Sequence, residues 1–151
     1  SGQDVTIVME PGRFLVGESG YLLTKVLYEK ENEGKRFVIV DAAMNDLLRP
    51  SLYGAYHEIE ALEKDGNLSS CDVVGPICES GDFLGKNVML PHLESGDLLV
   101  VKGAGAYGFT MASNYNSRQK AAEVAIIEGK DKLIRKRESF EDLVKDEVEF
   151  L

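Results

Sequence analysis

The sequence has no tryptophan, and its 151 residues include only two cysteines and two histidines. Two cysteines cannot build the disulfide framework that stabilises many small secreted domains. The positions of Cys71, Cys78, His57 and His92 do not match the ligand spacing of a structural zinc site, so we expect no bound metal. Chemistry at either cysteine would be that of a reduced thiol in a reducing compartment.

Long hydrophobic runs and positive charge are also scarce. No stretch approaches the roughly 20 apolar residues of a membrane span, and the first residues lack the basic start and apolar stretch of a secretory signal. Lysine and arginine total 17 against 26 aspartate and glutamate, which gives a net charge of −9. Such a surface repels phosphate backbones and anionic lipids. We therefore expect a cytoplasmic protein that binds neither nucleic acid nor membranes.

The apolar residues, 44% of the chain, suffice for one modest core. Most of them lie in short β-rich runs that end at glycine, proline or charged turns. The runs at 21–31 and 35–44, joined by a charged link that ends in glycine, predict a hairpin, and those at 71–78, 97–103 and 121–138 predict further strands. We expect a mainly β, α+β fold: a barrel or sandwich with short helices.

Helical signals are weaker. Asn45 or Asp46 is expected to cap a short turn that Pro50 and Gly54 interrupt. Ser139 is the expected cap of a closing amphipathic helix, with apolar residues at 140, 143, 144, 148 and 151. The basic cluster at 130–137 has acidic residues on both sides, which indicates a solvated hairpin rather than a nucleic-acid site.

The beginning of the chain carries the first candidate site. Residues 5–9, VTIVM, predict a buried strand, and the EPGR segment, residues 10–13, follows it before a short helix that stops at Gly20. Backbone amides at such a junction can point at an anion, and glycine lets the main chain approach closely. Phosphate binding is the functional interpretation, and an ordinary strand-to-helix turn is the alternative.

Residues 103–108, GAGAYG, satisfy the dinucleotide-binding pattern GxGxxG after a predicted strand. The residues after Gly108 are too few and too polar for the crossover helix that this pattern needs, so we reject dinucleotide binding. The glycines instead let the backbone pass close to another group and present Tyr107.

Two further segments contain candidate site residues. Arg49 and Tyr53 lie four apart, so on one helical turn they could hold a carboxylate; a surface arginine beside a packed tyrosine is the alternative. Residues 75–82, GPICESGD, place a thiol and two carboxylates within five residues, which suits a site loop, although a polar turn fits as well. Cys71 has no such neighbours and is interpreted as structural.

Four motifs in order resemble the diaminopimelate decarboxylases, members of the alanine-racemase-like pyridoxal-phosphate enzymes. They are EPGR at 10–13, DAAMNDLLRPSLYGAYH at 41–57, VVGPICESGDFL at 73–84 and GDLLVVKGAGAYGFTMASNYNSR at 96–118. The resemblance implies a cofactor-binding (β/α) barrel and a carboxy-terminal β domain. Residues 1–20 are then the end of the barrel, and residues 21–151 are the β domain with its closing helix. The remaining barrel, with the lysine that forms the Schiff base, lies outside this sequence, so the chain alone is expected to be inactive.

The resemblance also implies residue roles. The cofactor is pyridoxal 5'-phosphate, and its expected contacts are Glu10, Pro11, Gly12, Arg13 and Tyr107. The expected substrate contacts are Arg13, Arg49, Tyr53, Glu79 and Tyr107. Cys78 matches the proton donor, and the loop with Cys78 and Glu79 reaches into the partner subunit's site, which implies a homodimer.

The implied reaction converts meso-2,6-diaminopimelate to L-lysine and carbon dioxide. The far end of this substrate has an ammonium and a carboxylate, so it needs anionic and cationic partners together, as Glu79 and Arg49 provide. Two alternatives are a related decarboxylase for a carboxylated polyamine and a non-catalytic regulatory homologue that keeps the β domain and the dimer surface.

Overall fold

The computed structural model describes residue 2 and residues 4–147. Six strands form one sheet in the order β3-β6-β1-β2-β4-β5, and two more form a separate hairpin. The strands are β1 (Leu22–Asn32), β2 (Lys35–Val40), β3 (Ile59–Ala61), β4 (Ser69–Val74), β5 (Phe83–Leu90), β6 (Leu98–Val101), β7 (Glu123–Ile127) and β8 (Lys130–Arg135). The helices are α1 (Arg49–Tyr53) and α2 (Phe140–Val144), with four 3₁₀ turns at Arg13–Leu15, Gly17–Ser19, Phe109–Met111 and Tyr115–Ser117.

The larger sheet curls until its two edge strands nearly meet. Neighbouring strands within this sheet are antiparallel, except that β2 and β4 are parallel. At the seam, a Cβ on Gly85 of β5 would come within 2.9 Å of Ile59 Cδ1 on β3, so the missing side chain lets the edges approach. The fold is therefore mainly β with few helices and a nearly closed six-stranded sheet, as the sequence predicts.

The inside of this sheet is the core. β-branched and leucine side chains from five strands are almost completely buried there, among them Val26, Val38, Val40, Val73, Leu84, Leu99 and Val101. Burial of such side chains stabilises the fold by roughly 1.5–3 kcal/mol each. Cys71 lies in the same core at 2% exposure, which confirms its structural interpretation.

Several predicted elements are confirmed. β1 and β2 pair as the expected antiparallel hairpin, and β4, β6, β7 and β8 lie in the other predicted strand runs. The basic cluster lies on and just after β8, whose residues are all exposed, as expected of a solvated hairpin. Ser139 caps α2 through a capping box with Asp142. The helix ends at Val144, and positions 148 and 151 of the predicted helix lie outside the described residues.

Four predictions about local structure are wrong. Residues 5–9 form no strand and are exposed, because no part of the described chain offers them a neighbouring strand. The helix expected before Gly20 is instead two 3₁₀ turns. Pro50 does not interrupt a helix: it lies in the first turn of α1, where its missing N–H costs nothing. Neither Asn45 nor Asp46 caps this helix, because its N-cap is Leu48, which makes no side-chain hydrogen bond.

No helix in the part of the chain that the structure describes is long and apolar enough to cross a membrane. Within the same residues, no cluster of three or more histidine, cysteine, aspartate or glutamate side chains could hold a metal ion.

Candidate functional site

Arg49 lies between two tyrosine rings. It begins α1, which ends at Tyr53, and Gly54 caps the helix in the left-handed conformation at φ 62°. The Arg49 Cζ atom is 5.9 Å from the ring centroid of Tyr53 and 5.7 Å from that of Tyr107. A guanidinium at this distance from aromatic faces is attracted by them and is held in place. The expected pairing of Arg49 with Tyr53 on one turn is confirmed, and Tyr107 completes it.

Tyr107 comes from the glycine-rich loop after β6 and meets the EPGR segment. Its backbone has a φ of 61°, and a Cβ on Gly12 would lie only 3.0 Å from its hydroxyl oxygen. The loop is fixed to the first segment by hydrogen bonds from the Ala104 amide to Gly20 O (2.8 Å) and from the Gly105 amide to Gly17 O (3.0 Å). A side chain on Gly105 would overlap the Val16 carbonyl. Close backbone approach, rather than nucleotide binding, explains these glycines.

The EPGR segment has free hydrogen-bonding capacity. Leu15 donates to Gly12 O at 3.1 Å, while the hydrogen bonds described for residues 4–147 give the amides of Gly12, Arg13 and Phe14 no acceptor. The Arg13 side chain is 41% exposed and lies 3.5 Å from Glu18 Oε1. Unpartnered amides beside a cation suit an anionic ligand. Glu10, Pro11 and Gly12 are themselves exposed.

His57 lies beside this group, and sequence reasoning missed it. Its Nδ1 is 2.8 Å from Lys102 O, and the residue is 4% exposed. A Cβ on Gly103 would lie 3.1 Å from Arg13 Nη2 and 3.8 Å from His57 Nδ1, so the two side chains share one space. Burial lowers the pKa of His57, and the nearby Arg49 and Arg13 cations lower it further. The hydrogen bond to the Lys102 carbonyl raises the pKa but does not outweigh them. The imidazole is therefore neutral at pH 7. A lone histidine has no spacing signal that could have predicted this position.

Arg13, Arg49, Tyr53 and Tyr107 together form what we call the arginine–tyrosine group. Its members come from three distant parts of the sequence and converge near the loop after β6. Four of the six residues predicted to bind substrate or to react are thus close to one another. The other two, Cys78 and Glu79, come from the loop between β4 and β5.

Residues 75–82, the Cys–Glu loop, join β4 to β5 and are held by Asp82. The Asp82 carboxylate is 4% exposed and accepts hydrogen bonds from the amides of Met44 and Ile77, both at 2.7 Å. Burial raises the pKa of Asp82, and these two amides oppose the shift. The Asp82 carboxylate therefore joins two parts of the Cys–Glu loop through Ile77 and connects the loop to the segment before α1 through Met44.

The tip of this loop presents its two candidate groups to solvent. Cys78 is a free, exposed thiol. Glu79 Oε1 accepts from the Gly81 amide at 3.0 Å, and Oε2 lies 3.4 Å from the Tyr115 hydroxyl. Among the hydrogen bonds, ion pairs and cation–π contacts described for residues 4–147, none joins Cys78 or Glu79 to the arginine–tyrosine group. The two sets of candidate site residues therefore share no described polar contact, although the loop lies against α1, where a Cβ on Gly81 would be 2.8 Å from Ser51 Oγ.

The two cysteines differ in environment as the sequence suggests. Burial raises the pKa of Cys71 to about 11, and its thiol lies 3.4 Å from Val88 O. Its sulfur is thus a neutral core atom at physiological pH, whereas Cys78 is accessible.

Comparison with known families gives a match over most of the chain. Residues 8–105 match the model of the pyridoxal-dependent decarboxylase C-terminal sheet domain. The diaminopimelate decarboxylase of Campylobacter jejuni is 59% identical over 150 residues, which are 99% of this chain and 37% of that protein. The chain therefore spans a little over a third of the length of the curated relative that it matches.

Comparison with solved structures also finds decarboxylases. The diaminopimelate decarboxylase of Helicobacter pylori, in complex with L-lysine, matches with a TM-score of 0.88 and 57% identity over 99% of this chain and 37% of that one. The lysine/ornithine decarboxylase of Vibrio vulnificus, in complex with cadaverine, matches with a TM-score of 0.67 and 27% identity over 74% of this chain and 30% of that one.

Proposed function

The chain belongs to the pyridoxal-dependent decarboxylases, and we propose that it is the carboxy-terminal part of an enzyme that converts meso-2,6-diaminopimelate to L-lysine and carbon dioxide. The observation that carries this proposal is the position of Arg49, held between two tyrosine rings beside the EPGR segment. In this proposal residues 1–20 belong with a cofactor-binding barrel, and residues 21–151 are the β domain. We also propose a cytoplasmic location.

The described residues fit pyridoxal 5'-phosphate at the EPGR segment. Unpartnered amides of Gly12 and Arg13 suit its phosphate, and the Tyr107 hydroxyl against Gly12 lies beside that position. Bound pyridoxal phosphate withdraws electrons from the substrate's α-carbon and so makes loss of carbon dioxide feasible. The residues of this chain then have two tasks: to hold the substrate and to supply a proton.

The first task belongs to Arg49. Its guanidinium can bind a carboxylate through two parallel hydrogen bonds, and the rings of Tyr53 and Tyr107 limit its movement. Arg13 adds a second positive charge to the same area. Although Arg13 also pairs with Glu18, the two guanidinium groups together favour a substrate with a distal carboxylate.

The second task belongs to Cys78, whose accessible thiol can deliver a proton from Sγ to the α-carbon. Glu79, next to it, offers a carboxylate to the distal ammonium of the substrate. Because the Cys–Glu loop is fastened within its own chain and no described polar contact joins Cys78 or Glu79 to the arginine–tyrosine group, we propose that the loop acts in the site of a second subunit in a homodimer. An active site shared across a twofold axis gives two equivalent sites.

The experiment that tests the proposal is a substrate comparison on the full-length protein. We expect carbon dioxide release from meso-diaminopimelate, and little from ornithine or from a carboxylated polyamine, because neither presents the distal pair of charges that Arg49 and Glu79 would bind. Similar rates with ornithine would favour the function of the more distant Vibrio relative. No release from any of them would favour a non-catalytic homologue.

A further inference from the structure

Two buried polar atoms near the arginine–tyrosine group have no partner in the part of the chain that the structure describes. They are His57 Nε2 and Arg49 Nε. A buried polar atom without a hydrogen bond is costly, so each such atom needs an explanation. Their types are complementary when His57 Nε2 is an acceptor, because the guanidinium Nε–H can only donate.

The geometry makes Nε2 the acceptor. The Lys102 carbonyl can only accept, so the Nδ1 atom 2.8 Å away must hold the proton of the neutral ring and donate it. Nε2 then has a free lone pair.

The ring is also fixed in position. Residue 57 lies just before β3, Lys102 lies just after β6, and the Lys102 amide donates to Glu58 O at 2.8 Å. The ladder between these two strands therefore sets where the imidazole points.

Packing alone does not explain a histidine here. A phenylalanine or leucine would fill the same buried volume without leaving an unsatisfied acceptor next to two arginines. The Arg13–Glu18 ion pair and the Nδ1 side of the ring both border Gly103, so the imidazole lies beside charged side chains rather than in an apolar pocket.

We propose that His57 is a positioning residue for substrate binding: one bridging water accepts a hydrogen bond from the Arg49 guanidinium and donates one to His57 Nε2, which fixes the orientation of the guanidinium toward a carboxylate. This inference rests on the proposed function, in which Arg49 binds the distal carboxylate. It adds a residue to the site that acts through Arg49 and needs no contact with substrate or cofactor.

The test compares two substitutions in the full-length enzyme. The amide of Asn in His57→Asn can replace Nδ1 and donate to Lys102 O, but it has no atom at the Nε2 position. The longer His57→Gln side chain places an oxygen near the Nε2 position. We expect His57→Asn to raise KM for meso-diaminopimelate, and Kd for L-lysine measured by calorimetry, about tenfold with kcat changed less than about threefold. We expect His57→Gln to keep both constants within about threefold of wild type.

His92→Asn is the matched control, because the His92 side chain is 79% exposed and lies outside this group. It should leave KM and Kd unchanged. Thermal unfolding and the absorbance of bound cofactor show whether each variant is folded and loaded. Wild-type KM in His57→Asn, or equal impairment of the Asn and Gln variants, would overturn the inference. If the proposed function itself fails, the wild-type enzyme releases no carbon dioxide from diaminopimelate, which is a distinct result.

Discussion

The arginine–tyrosine group and the Cys–Glu loop are built in opposite ways. The first is assembled from three distant segments, is held mostly by cation–π contacts, and includes a buried guanidinium nitrogen that has no partner among residues 4–147. The second is one short segment whose polar groups are largely satisfied within the chain, through Asp82 and the Gly81 amide. Unsatisfied donors suit a region that receives a ligand, whereas a self-supporting loop suits a region that is presented to something else.

This difference supports a division of tasks. The arginine–tyrosine group would hold cofactor and substrate, and the loop would deliver a proton from the other subunit. Each region should therefore fail in its own way when it is altered, and the following predictions, in order of decreasing effect, sharpen or break that division.

The largest effect is expected at Cys78. Cys78→Ala in the full-length enzyme should lower kcat by about a hundredfold or more, because proton delivery by a positioned side chain contributes about that much. Cofactor affinity, measured by absorbance titration, should stay within about twofold, since the thiol lies outside the arginine–tyrosine group. Cys71→Ser is unsuitable as a control because it places a hydroxyl in the core, so Ser80→Ala in the same loop serves instead. An unchanged turnover rate in Cys78→Ala would remove this residue from the proton-donor role.

A smaller and different effect is expected at Arg49. Arg49→Ala should raise KM for diaminopimelate about tenfold to a hundredfold with a lesser change in kcat, because it removes a charge-assisted hydrogen-bonding partner of the substrate. Arg49→Lys should restore only part of this, since an ammonium cannot form two parallel hydrogen bonds. Steady-state kinetics check both variants. If substrate affinity stays intact in Arg49→Ala, the distal-carboxylate role is wrong.

Asp82 should affect stability more than binding. Asp82→Ala leaves the buried amides of Met44 and Ile77 without their acceptor, and should lower the free energy of unfolding by about 2–4 kcal/mol. Denaturant unfolding measures this, and Asp131→Ala on the exposed hairpin is the control with an expected change within about 0.5 kcal/mol. Equal stability of the two variants would show that the Cys–Glu loop does not depend on this carboxylate.

The smallest effect is expected in the unmutated protein, where the reactivity of the two thiols toward an alkylating reagent is compared. At pH 8 a thiol-alkylating reagent should modify Cys78 and leave Cys71 intact in the folded protein, as read by peptide mass spectrometry; under denaturing conditions both should react. Faster modification of Cys71 than of Cys78 would contradict the burial described here.

The Cys71 thiol should also make stability depend on pH. Because the pKa of Cys71 rises from 9.0 to about 11 on folding, the contribution of the protonated thiol to the free energy of unfolding is fully present below pH 9 and is lost as the pH rises toward 11.

The sequence predicted most strands because they follow the apolar runs that end at turns, as β1, β2 and β6 do. It did not predict β5, in which Gly85, Lys86 and Asn87 break the apolar pattern; that strand forms because β4 and the β3 edge lie beside it. Residues 5–9 show the reverse, since a strong strand pattern forms no strand without a neighbour. The parallel pairing of β2 with β4 is likewise set by the tertiary fold.

Part of the candidate site could also be predicted from the sequence. The spacing of Arg49 and Tyr53 predicted their contact, because it depends on one helical turn. The contact of Tyr107 with Arg49 and the place of His57 could not be predicted, because the first depends on how the loop after β6 packs against the first segment and the second on the pairing of β3 with β6.

The central claim is that the two regions work together only across two subunits. It is tested most directly by co-expressing full-length Arg49→Ala and Cys78→Ala chains with different affinity tags and purifying the hybrid dimers. Each variant alone should be nearly inactive at low substrate concentration. The hybrid contains one site with both residues intact, so we expect about half of the wild-type activity per dimer. Hybrids no more active than their parents, or the absence of any dimer, would contradict the shared site.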